Sequence, residues 1–297
     1  MEALFSKKGF FLACLIGIVV PCSFAKTNAN LPYQFIEKNG HQIHILEIDP
    51  HEYKIVSVQA DPKRETVSAM VKKHAAIAGI NGGFFHIDDN GQGKPAGALK
   101  IDGRWVGFPL LPRGAIGWDK QGEKPLVDRI LTKTERTRKS TTTQVIPQVD
   151  KTRAAQKKWQ AFPYIVGGIP LLMKNGKEVG NYQIEKTTKS FLNDRHARTA
   201  VCIKPNHHWL FLVASHTKEK DRAFTNKIME GLTIRELTQV LQELGCKDAI
   251  NLDGGGSSTL VMNEKTINPD AGDMDEIAHF YHERPVLDAI LIFLRQP

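Results

Sequence analysis

Residues 251–259 read NLDGGGSST and combine a carboxylate, three consecutive glycines and two hydroxyls. The acid is Asp253, and it is followed by Gly254, Gly255, Gly256, Ser257 and Ser258. Glycine loses more backbone entropy on folding than any other residue, so three in a row indicate a special requirement. Bare backbone can approach a ligand closely and offer N–H groups to an anion, and the hydroxyls add further donors. The pattern predicts a sugar or phosphate site in which Asp253 supplies the reactive carboxylate.

Other interpretations of this loop fit the residues less well. The lysine and the following hydroxyl residue that end a nucleotide P-loop are missing. The nucleophile elbow of a serine hydrolase needs glycine two residues after the serine, and Ser257 is followed there by Thr259. An ordinary turn would need one or two glycines instead of three.

A second glycine pair lies in residues 79–85, GINGGFF. Asn81 ends a predicted strand, from which its amide can hydrogen-bond to sugar hydroxyls. Gly82 and Gly83 would again let a ligand reach the backbone. Phe84 or Phe85 could stack on a sugar ring, and packing in the core is the alternative for both.

Residues 195–200, RHARTA, place two arginines just before a predicted strand. Guanidinium groups bind phosphate through two parallel hydrogen bonds, so Arg195 and Arg198 are the predicted anion clamp. Alternation along a strand would place one of them outward. His196 and His216 are weaker candidates for proton carriers near neutral pH.

Most of the apolar pattern alternates as in β-strands, and only two segments have a helical period. The clearer helix covers residues 233–244, where Thr233 and Glu236 form a capping box and Gly245 ends the helix. The second helix covers residues 66–74. The sequence predicts one α+β domain over residues 26–297, a strand-rich mixed sheet with few helices, with residues 129–158 as a basic excursion.

The N-terminus is typical of a secretory signal peptide over residues 1–25. Lys7 and Lys8 precede an apolar run that is too short to span a bilayer, and Ala25 ends a small-residue cleavage pattern. We therefore expect a periplasmic or secreted protein with no stable membrane anchor after cleavage. In an oxidising compartment Cys202 and Cys246 could pair, and two buried free thiols are the alternative.

The net charge of +8 favours anionic partners. Nine lysines and arginines lie in residues 129–158, which a solvated hairpin would accommodate. Nucleic acid is not an expected partner because interleaved aromatics and known binding modules are missing. The sequence has no Cys/His spacing for a metal, and we expect no cofactor. The oligomeric state is left open.

Five motifs in this order, GINGGFF, GGIPLL, HARTAV, GLTIRELTQVLQELG and AINLDGGGSSTL, resemble the phosphodiester glycosidase family. The resemblance implies an exported catalytic domain that cleaves the glycosidic C–O bond of a sugar-1-phosphodiester. The matching positions are Asn81, Arg198, Thr199, Asp253 and the loop from Gly254 to Ser258. At residues 215–217 the chain has Ser-His-Thr where members commonly show an Asp-Gly-Arg-like stretch.

In such a substrate the leaving group is already a stable phosphate, so the main requirement is electrostatic. Asp253 would act as nucleophile or as the base for water, and Arg198 and Arg195 would hold the phosphate. The partner carboxylate would be Asp194, Asp88 or Glu283. A binding protein for anionic glycans and a glycosyl transferase are the alternative functions.

Overall fold

Strands make up most of the structure, a computed structural model that describes residues 30–38, 40–61, 63–138, 140–216, 231–268, 273–274 and 281–295. In chain order the strands are β1 (Tyr33–Lys38), β2 (His41–Ile48), β3 (Tyr53–Gln59), β4 (Ala78–Asn81), β5 (Phe85–Ile87), β6 (Gly93–Pro95), β7 (Leu99–Ile101), β8 (Arg104–Gly107), β9 (Arg113–Trp118), β10 (Leu126–Arg136), β11 (Thr141–Pro147), β12 (Tyr164–Gly168), β13 (Leu171–Lys174), β14 (Lys177–Glu178), β15 (Arg198–Ile203), β16 (Trp209–His216), β17 (Asp248–Asn251), β18 (Leu260–Met262), β19 (Lys265–Thr266), β20 (Asp273–Met274), β21 (Tyr281–His282) and β22 (Asp288–Leu294).

The strands form three main antiparallel sheets. The seven-stranded sheet has the order β1-β2-β16-β15-β17-β13-β14, the six-stranded sheet β11-β10-β9-β12-β7-β8, and the five-stranded sheet β19-β18-β4-β22-β3. The prediction of a strand-rich α+β domain with few helices is confirmed. The strands divide among several antiparallel sheets, however, instead of forming one mixed sheet.

Four short α-helices lie among the described residues: α1 (Val67–Lys73), α2 (Arg153–Ala161), α3 (Lys189–Asn193) and α4 (Ile234–Glu243). The capping box predicted for α4 is present, because Thr233 and Glu236 each bond to the other's backbone N–H. Gly245 follows the helix with a positive φ of 76°, which matches its predicted role. None of the helices in the described part is long and apolar enough to cross a membrane.

The largest hydrophobic cluster takes side chains from all three sheets, such as Leu46, Ile290 and Ile116. The outer face of each sheet packs on one helix: α4 on the seven-stranded sheet, α1 on the five-stranded sheet, and α2 on the six-stranded sheet. Two tryptophans, Trp118 and Trp209, cross edge to face in the shared core with ring centroids 5.2 Å apart. The three sheets therefore meet around one core, and their strand ends meet at its edge.

The basic segment 129–158 contains most of β10, all of β11 and the start of α2. Its first member, Arg129, is not a surface charge, because its Nε donates to the buried carboxylate of Glu185 at 2.9 Å. Farther along the hairpin, Lys133 pairs with Glu135 at the exposed surface. The segment thus combines a buried ion pair at its base with a solvated tip.

Cys202 and Cys246 form a disulfide that joins β15 to the segment between α4 and β17. Both residues are buried in the cluster under α4. The bridge closes a loop with a sequence separation of 44 residues. Of the two alternatives left by the sequence, the structure contains the bonded pair.

Replacing both cysteines by alanine should lower the free energy of unfolding by up to about 4 kcal/mol, because the unfolded chain regains the entropy of the closed loop. Thermal unfolding with and without dithiothreitol checks this. The reductant should lower the melting temperature of the wild type and leave that of the double variant unchanged. The expectation would be contradicted if dithiothreitol, added while the wild type is unfolded, did not lower its melting temperature.

Candidate active site

The buried side chain of Asn81 at the end of β4 links the seven-stranded and five-stranded sheets. Its Nδ2 donates to the backbone oxygen of Asp253 at 2.8 Å. Its Oδ1 accepts from Thr199 Oγ1 at 2.8 Å and from the N–H of Thr259 at 3.1 Å. Asn81, predicted to bond to sugar hydroxyls, and Thr199, a position that matches the family, are both 0% exposed, and their polar groups bond within the protein. Together they position the backbone of Asp253.

Asp253 lies two residues beyond the end of β17, as the motif predicts. Its Oδ1 accepts from the N–H of Gly254 at 2.9 Å, and the hydroxyl of Ser257 also bonds to the carboxylate. Desolvation raises the pKa of Asp253 to about 6, although the two hydrogen bonds and the charge of Arg284 oppose the rise. The carboxylate therefore titrates close to neutral pH, where it can exchange protons.

A second carboxylate, the buried Asp288, lies close enough to Asp253 to interact with its charge. Asp288 begins β22 and is 2% exposed, and its Oδ2 accepts from the N–H of Gly83 at 3.2 Å. Desolvation, with the nearby charge of Asp253, raises the pKa of Asp288 to about 7. Gly82 connects the two acids, since its N–H donates to the Asp288 carbonyl and its own carbonyl accepts from the Asp253 N–H, at 2.8 and 3.2 Å.

None of the predicted partner carboxylates occupies this position. Asp88 binds the backbone of its own turn, Asp194 ends α3, and Glu283 accepts from the N–H of Ser68. The sequence analysis did not identify Asp288, because it is a single polar residue in the otherwise apolar strand VLDAILIFL. The signal was present, however, since a carboxylate in a buried strand is unfavourable without a special reason.

Each of the three glycines after Asp253 has a different structural reason within the protein. Gly254 lies so close to the backbone that an added Cβ would be 2.7 Å from the Ala197 oxygen. Gly255 has a positive φ of 58°, which favours glycine. Gly256 lies against the guanidinium of Arg284, where an added Cβ would overlap it. The glycines of the motif are thus explained by contacts and backbone conformation within the protein.

The backbone of this loop is also mostly unavailable to an anion. The N–H of Gly254 donates to Asp253, and that of Gly255 donates to the Ala197 oxygen at 2.7 Å. The N–H groups of Ser257 and Ser258 close a 3₁₀ turn. Four of the five N–H groups predicted to hold phosphate are therefore used within the protein. The side chains of Ser257 and Ser258 are 1% exposed, so they support the loop from within.

The guanidinium of Arg198, which the sequence predicts to hold phosphate, is engaged within the protein. Its side chain is buried, and it donates to the backbone oxygens of Leu232, Phe191 and Asp194 at 2.8, 2.8 and 3.1 Å. The guanidinium also lies 4.9 Å from the centroid of the Phe191 ring. These contacts tie α3 and the chain before α4 to β15, which is a structural task.

Replacing Arg198 by methionine should lower the free energy of unfolding by about 3 kcal/mol, because buried carbonyl groups lose their donors. Denaturant unfolding measures the change. Arg195→Met is the control: Arg195 forms an exposed pair with Glu236 at 2.6 Å, and its loss should change stability by less than about 1 kcal/mol. If Arg198→Met kept the stability of the wild type but bound phosphate less tightly, Arg198 would be a phosphate ligand, as the sequence predicts.

Arg195 and His216 complete the predicted site residues. The guanidinium of Arg195 bonds to the Glu236 carboxylate at the start of α4, away from the two acids. The backbone of His216 pairs with His41 at the end of β16, and its side chain lies outside the described residues.

A narrow cleft opens beside Asp288, and its volume of about 10 Å³ gives room for one water molecule. Its polar lining includes Arg113, and its other walls come from backbone and apolar side chains of Gly83, Phe84, Pro95, Gly97, Ala98, Leu99, Gly167, Gly168 and Ile169. Desolvation lowers the pKa of Arg113, and the buried Glu185 opposes that change. Arg113 therefore brings a poorly solvated positive charge to the cleft.

Two arginines that were not among the predicted site residues, Arg113 and Arg284, lie near the acids. Arg284 lies against Gly256 and lowers the pKa of Asp253, and Arg113 lies with Asp288 at the cleft. The site thus has two carboxylates and two guanidinium groups. No group of three or more metal-binding side chains occurs in the described ranges.

Similarity to solved structures supports the fold. A Synechocystis protein superposes with a TM-score of 0.63 at 19% identity, covering 89% of this chain and 61% of its own length. The catalytic domain of zebrafish N-acetylglucosamine-1-phosphodiester alpha-N-acetylglucosaminidase gives 0.63 at 20% identity, covering 90% and 83%. A Burkholderia pseudomallei protein gives 0.60 at 17% identity, covering 85% and 74%.

A sequence comparison identifies the family. Curated proteins give no match, but the phosphodiester glycosidase family matches residues 74–293. That span is most of the chain, contains both Asp253 and Asp288, and confirms the resemblance that the five motifs carry. The chain belongs to the phosphodiester glycosidase family.

Proposed function

We propose that this protein is an exported enzyme that hydrolyses the glycosidic bond of a sugar-1-phosphodiester in an envelope or extracellular glycoconjugate. The observation that carries the proposal is the pair of acids joined through Gly82, with Arg284 beside Asp253 and Arg113 at the same cleft as Asp288. Family membership supplies the type of bond. Two acids of raised pKa at a cleft are typical of glycoside hydrolysis, in which one acid gives a proton and the other assists attack at the sugar carbon.

The two acids differ in their surroundings, and this difference assigns their roles. Asp253 has two hydrogen-bond donors and a nearby guanidinium, so it loses its proton first. Asp288 is more deeply buried and faces the charge of Asp253, so it keeps its proton longer. Near neutral pH the pair then holds about one proton, mainly on Asp288. Asp253 is the nucleophile or base, and Asp288 is the acid.

The reaction follows from these roles. As the bond between C1 and the phosphate oxygen breaks, Asp288 gives its proton to that oxygen, and Asp253 stabilises the positive charge at C1. Water adds to C1 and its proton passes to the acid pair, so the products are a sugar and a phosphomonoester. The protonated Asp288 and the guanidinium of Arg113 let the anionic phosphate enter a site that contains a carboxylate.

The pH profile of kcat/KM should be bell-shaped. Activity should rise with pH as Asp253 ionises near 6 and fall as Asp288 loses its proton near 7, because the active form has one of each. Initial rates between pH 4.5 and 9 on one soluble phosphodiester measure this. A rate that continues to rise through pH 8 would remove Asp288 as the acid.

Turnover tests the function itself. The purified chain would be incubated with a panel of sugar-1-phosphodiesters, with an N-acetylglucosamine member first because of the zebrafish similarity. Mass spectrometry would follow free sugar and phosphomonoester, with Asp253→Asn beside the wild type. Release that the variant loses supports hydrolysis. Binding without release would favour the binding-protein alternative, and release only with an added sugar acceptor would favour the transferase.

Export is supported by the signal-like residues 1–25 and by the disulfide, a bond rare in reducing compartments. Expressing the full chain in a bacterial host and sequencing the N-terminus of the periplasmic or medium fraction tests this. Cleavage after Ala25 is the expected result. Recovery of the uncleaved chain from the cytoplasm alone would contradict export.

A further inference from the structure

The loop between β8 and β9 exposes two leucines to solvent. Leu110 is 87% exposed and Leu111 is 38% exposed, and they lie between Pro109 and Pro112. A single exposed leucine is ordinary, but an adjacent pair at a loop tip presents a continuous apolar surface. Such a surface is typical of a site that receives an apolar partner.

The loop is held in place where it leaves β8. Pro109 is buried, and its backbone oxygen accepts from the N–H of Thr132 in β10 at 3.3 Å. Just before it, the rings of Trp105 and Phe108 stack with centroids 4.3 Å apart. A loop fixed by a buried proline and a stacked aromatic pair loses little freedom when a ligand binds, so its apolar tip is preorganised.

The same loop borders the active-site cleft. Arg113, which lines the cleft, comes two residues after Leu111. At the start of the loop, Gly107 lies against Pro95, another lining residue, where an added Cβ would be 2.7 Å from the proline ring. The loop that carries the two leucines therefore begins and ends at the cleft.

We propose that the Leu110–Leu111 loop binds an apolar chain attached to the substrate's phosphate, so that the substrate is a lipid-type sugar-1-phosphodiester. This rests on the proposed function, because that function places a phosphodiester beside Asp288 at the mouth of the cleft. Arg113 binds the phosphate, one ester oxygen leads to the sugar at the two acids, and the other leads to the chain on the leucines. Apolar contact then selects the group on the phosphate, which the charged residues alone cannot do.

Binding measurements test this without requiring turnover or the correct sugar. Isothermal titration calorimetry would compare methyl phosphate with octyl phosphate, below its micelle-forming concentration, on the full chain. Octyl phosphate should bind at least about tenfold more tightly, the effect of burying roughly two methylene groups. In Leu110→Ser/Leu111→Ser the two ligands should bind equally, while methyl phosphate keeps its wild-type affinity.

Two further variants control the result. Leu294→Ser removes an exposed leucine at the far end of β22 and should keep the octyl preference. Arg113→Gln should weaken both ligands by the same factor and leave their ratio unchanged. An octyl preference that survives in the double-serine variant would overturn the proposal.

Vesicles of phosphatidylglycerol distinguish a membrane surface from a bound chain. Vesicle binding that depends on the two leucines, without any octyl preference, would place the loop on a bilayer and also overturn the proposal. An octyl preference that depends on the leucines would support it even if no panel substrate were hydrolysed, in which case only the proposed reaction would fail. Hydrolysis of a panel substrate without any octyl preference would support the proposed reaction and overturn the proposed apolar chain.

Discussion

Replacing Asp288 by asparagine should lower kcat/KM by about 10³-fold while leaving the fold intact. The amide oxygen of asparagine can still accept the N–H of Gly83, but the amide cannot give a proton to the leaving oxygen. Steady-state kinetics at pH 6.5 measure the change. Asp88→Asn is the control, because Asp88 belongs to an exposed turn near Lys94 and should leave kcat/KM unchanged.

The same substitution should stabilise the protein at alkaline pH. Burial raises the pKa of Asp288 above its ordinary 3.8 to about 7, so the folded state binds this proton more tightly than the unfolded state. That contribution to stability is fully present below 3.8 and is lost as the pH rises through 7. Asparagine does not ionise, so at pH 8 the variant avoids a buried charge.

Denaturant unfolding at pH 4.5 and pH 8 measures this effect. The free energy of unfolding of Asp288→Asn relative to the wild type should be higher at pH 8 than at pH 4.5 by an amount on the order of a few kcal/mol. Lower activity together with higher stability is the signature of a functional buried acid. A variant that loses stability equally at both pH values would make Asp288 a structural residue and remove it from the mechanism.

Replacing Gly82 by alanine should inactivate the enzyme to a similar extent, by about 10³-fold or more. The added methyl group would overlap the Asp288 carboxylate, so the acid must move or β4 must shift. Because Gly82 also bonds to the backbone of both acids, a shift displaces the pair as a unit. We expect a loss of about 1–3 kcal/mol in stability, as for other overpacked sites.

Gly176→Ala is a control that separates stability from activity. Gly176 lies in the tight turn between β13 and β14 with a φ of 77° and open space around it. Alanine there is strained by backbone conformation alone and should cost about 1 kcal/mol with no change in kcat/KM. Equal loss of activity in both variants would show that Gly82 acts through global stability and not through the acid pair.

Local sequence signals predicted the elements of this fold well. The capping box of α4 and its terminal glycine are encoded within a few neighbouring residues, and both are present. Asp253 was found for the same reason, since the glycines beside it mark a tightly packed loop. What these glycines accommodate was not predictable, because Ala197 and Arg284 approach from elsewhere in the chain.

The missed residues depend on contacts between distant parts of the sequence. Asp288 becomes the partner of Asp253 only because β22 and β4 pair so that Ala289 lies opposite Asn81. Arg113 reaches the cleft because β9 pairs with β12 in the six-stranded sheet, whereas Asp288 belongs to the five-stranded sheet. Conversely, the motif favoured Arg198 for phosphate, whereas three backbone oxygens occupy its guanidinium. Residue type alone does not distinguish an arginine that binds a ligand from one that supports a loop.

The central claim is that the acid pair breaks the bond between the sugar carbon and the phosphate oxygen. Hydrolysis of a sugar-1-phosphodiester in H₂¹⁸O, with the phosphomonoester product analysed by mass spectrometry, tests it most directly. Attack at C1 leaves every phosphate oxygen unlabelled, and this is the expected result, with no product from Asp253→Asn. One ¹⁸O atom in the phosphate would show attack at phosphorus and would contradict a glycosidase mechanism for this site.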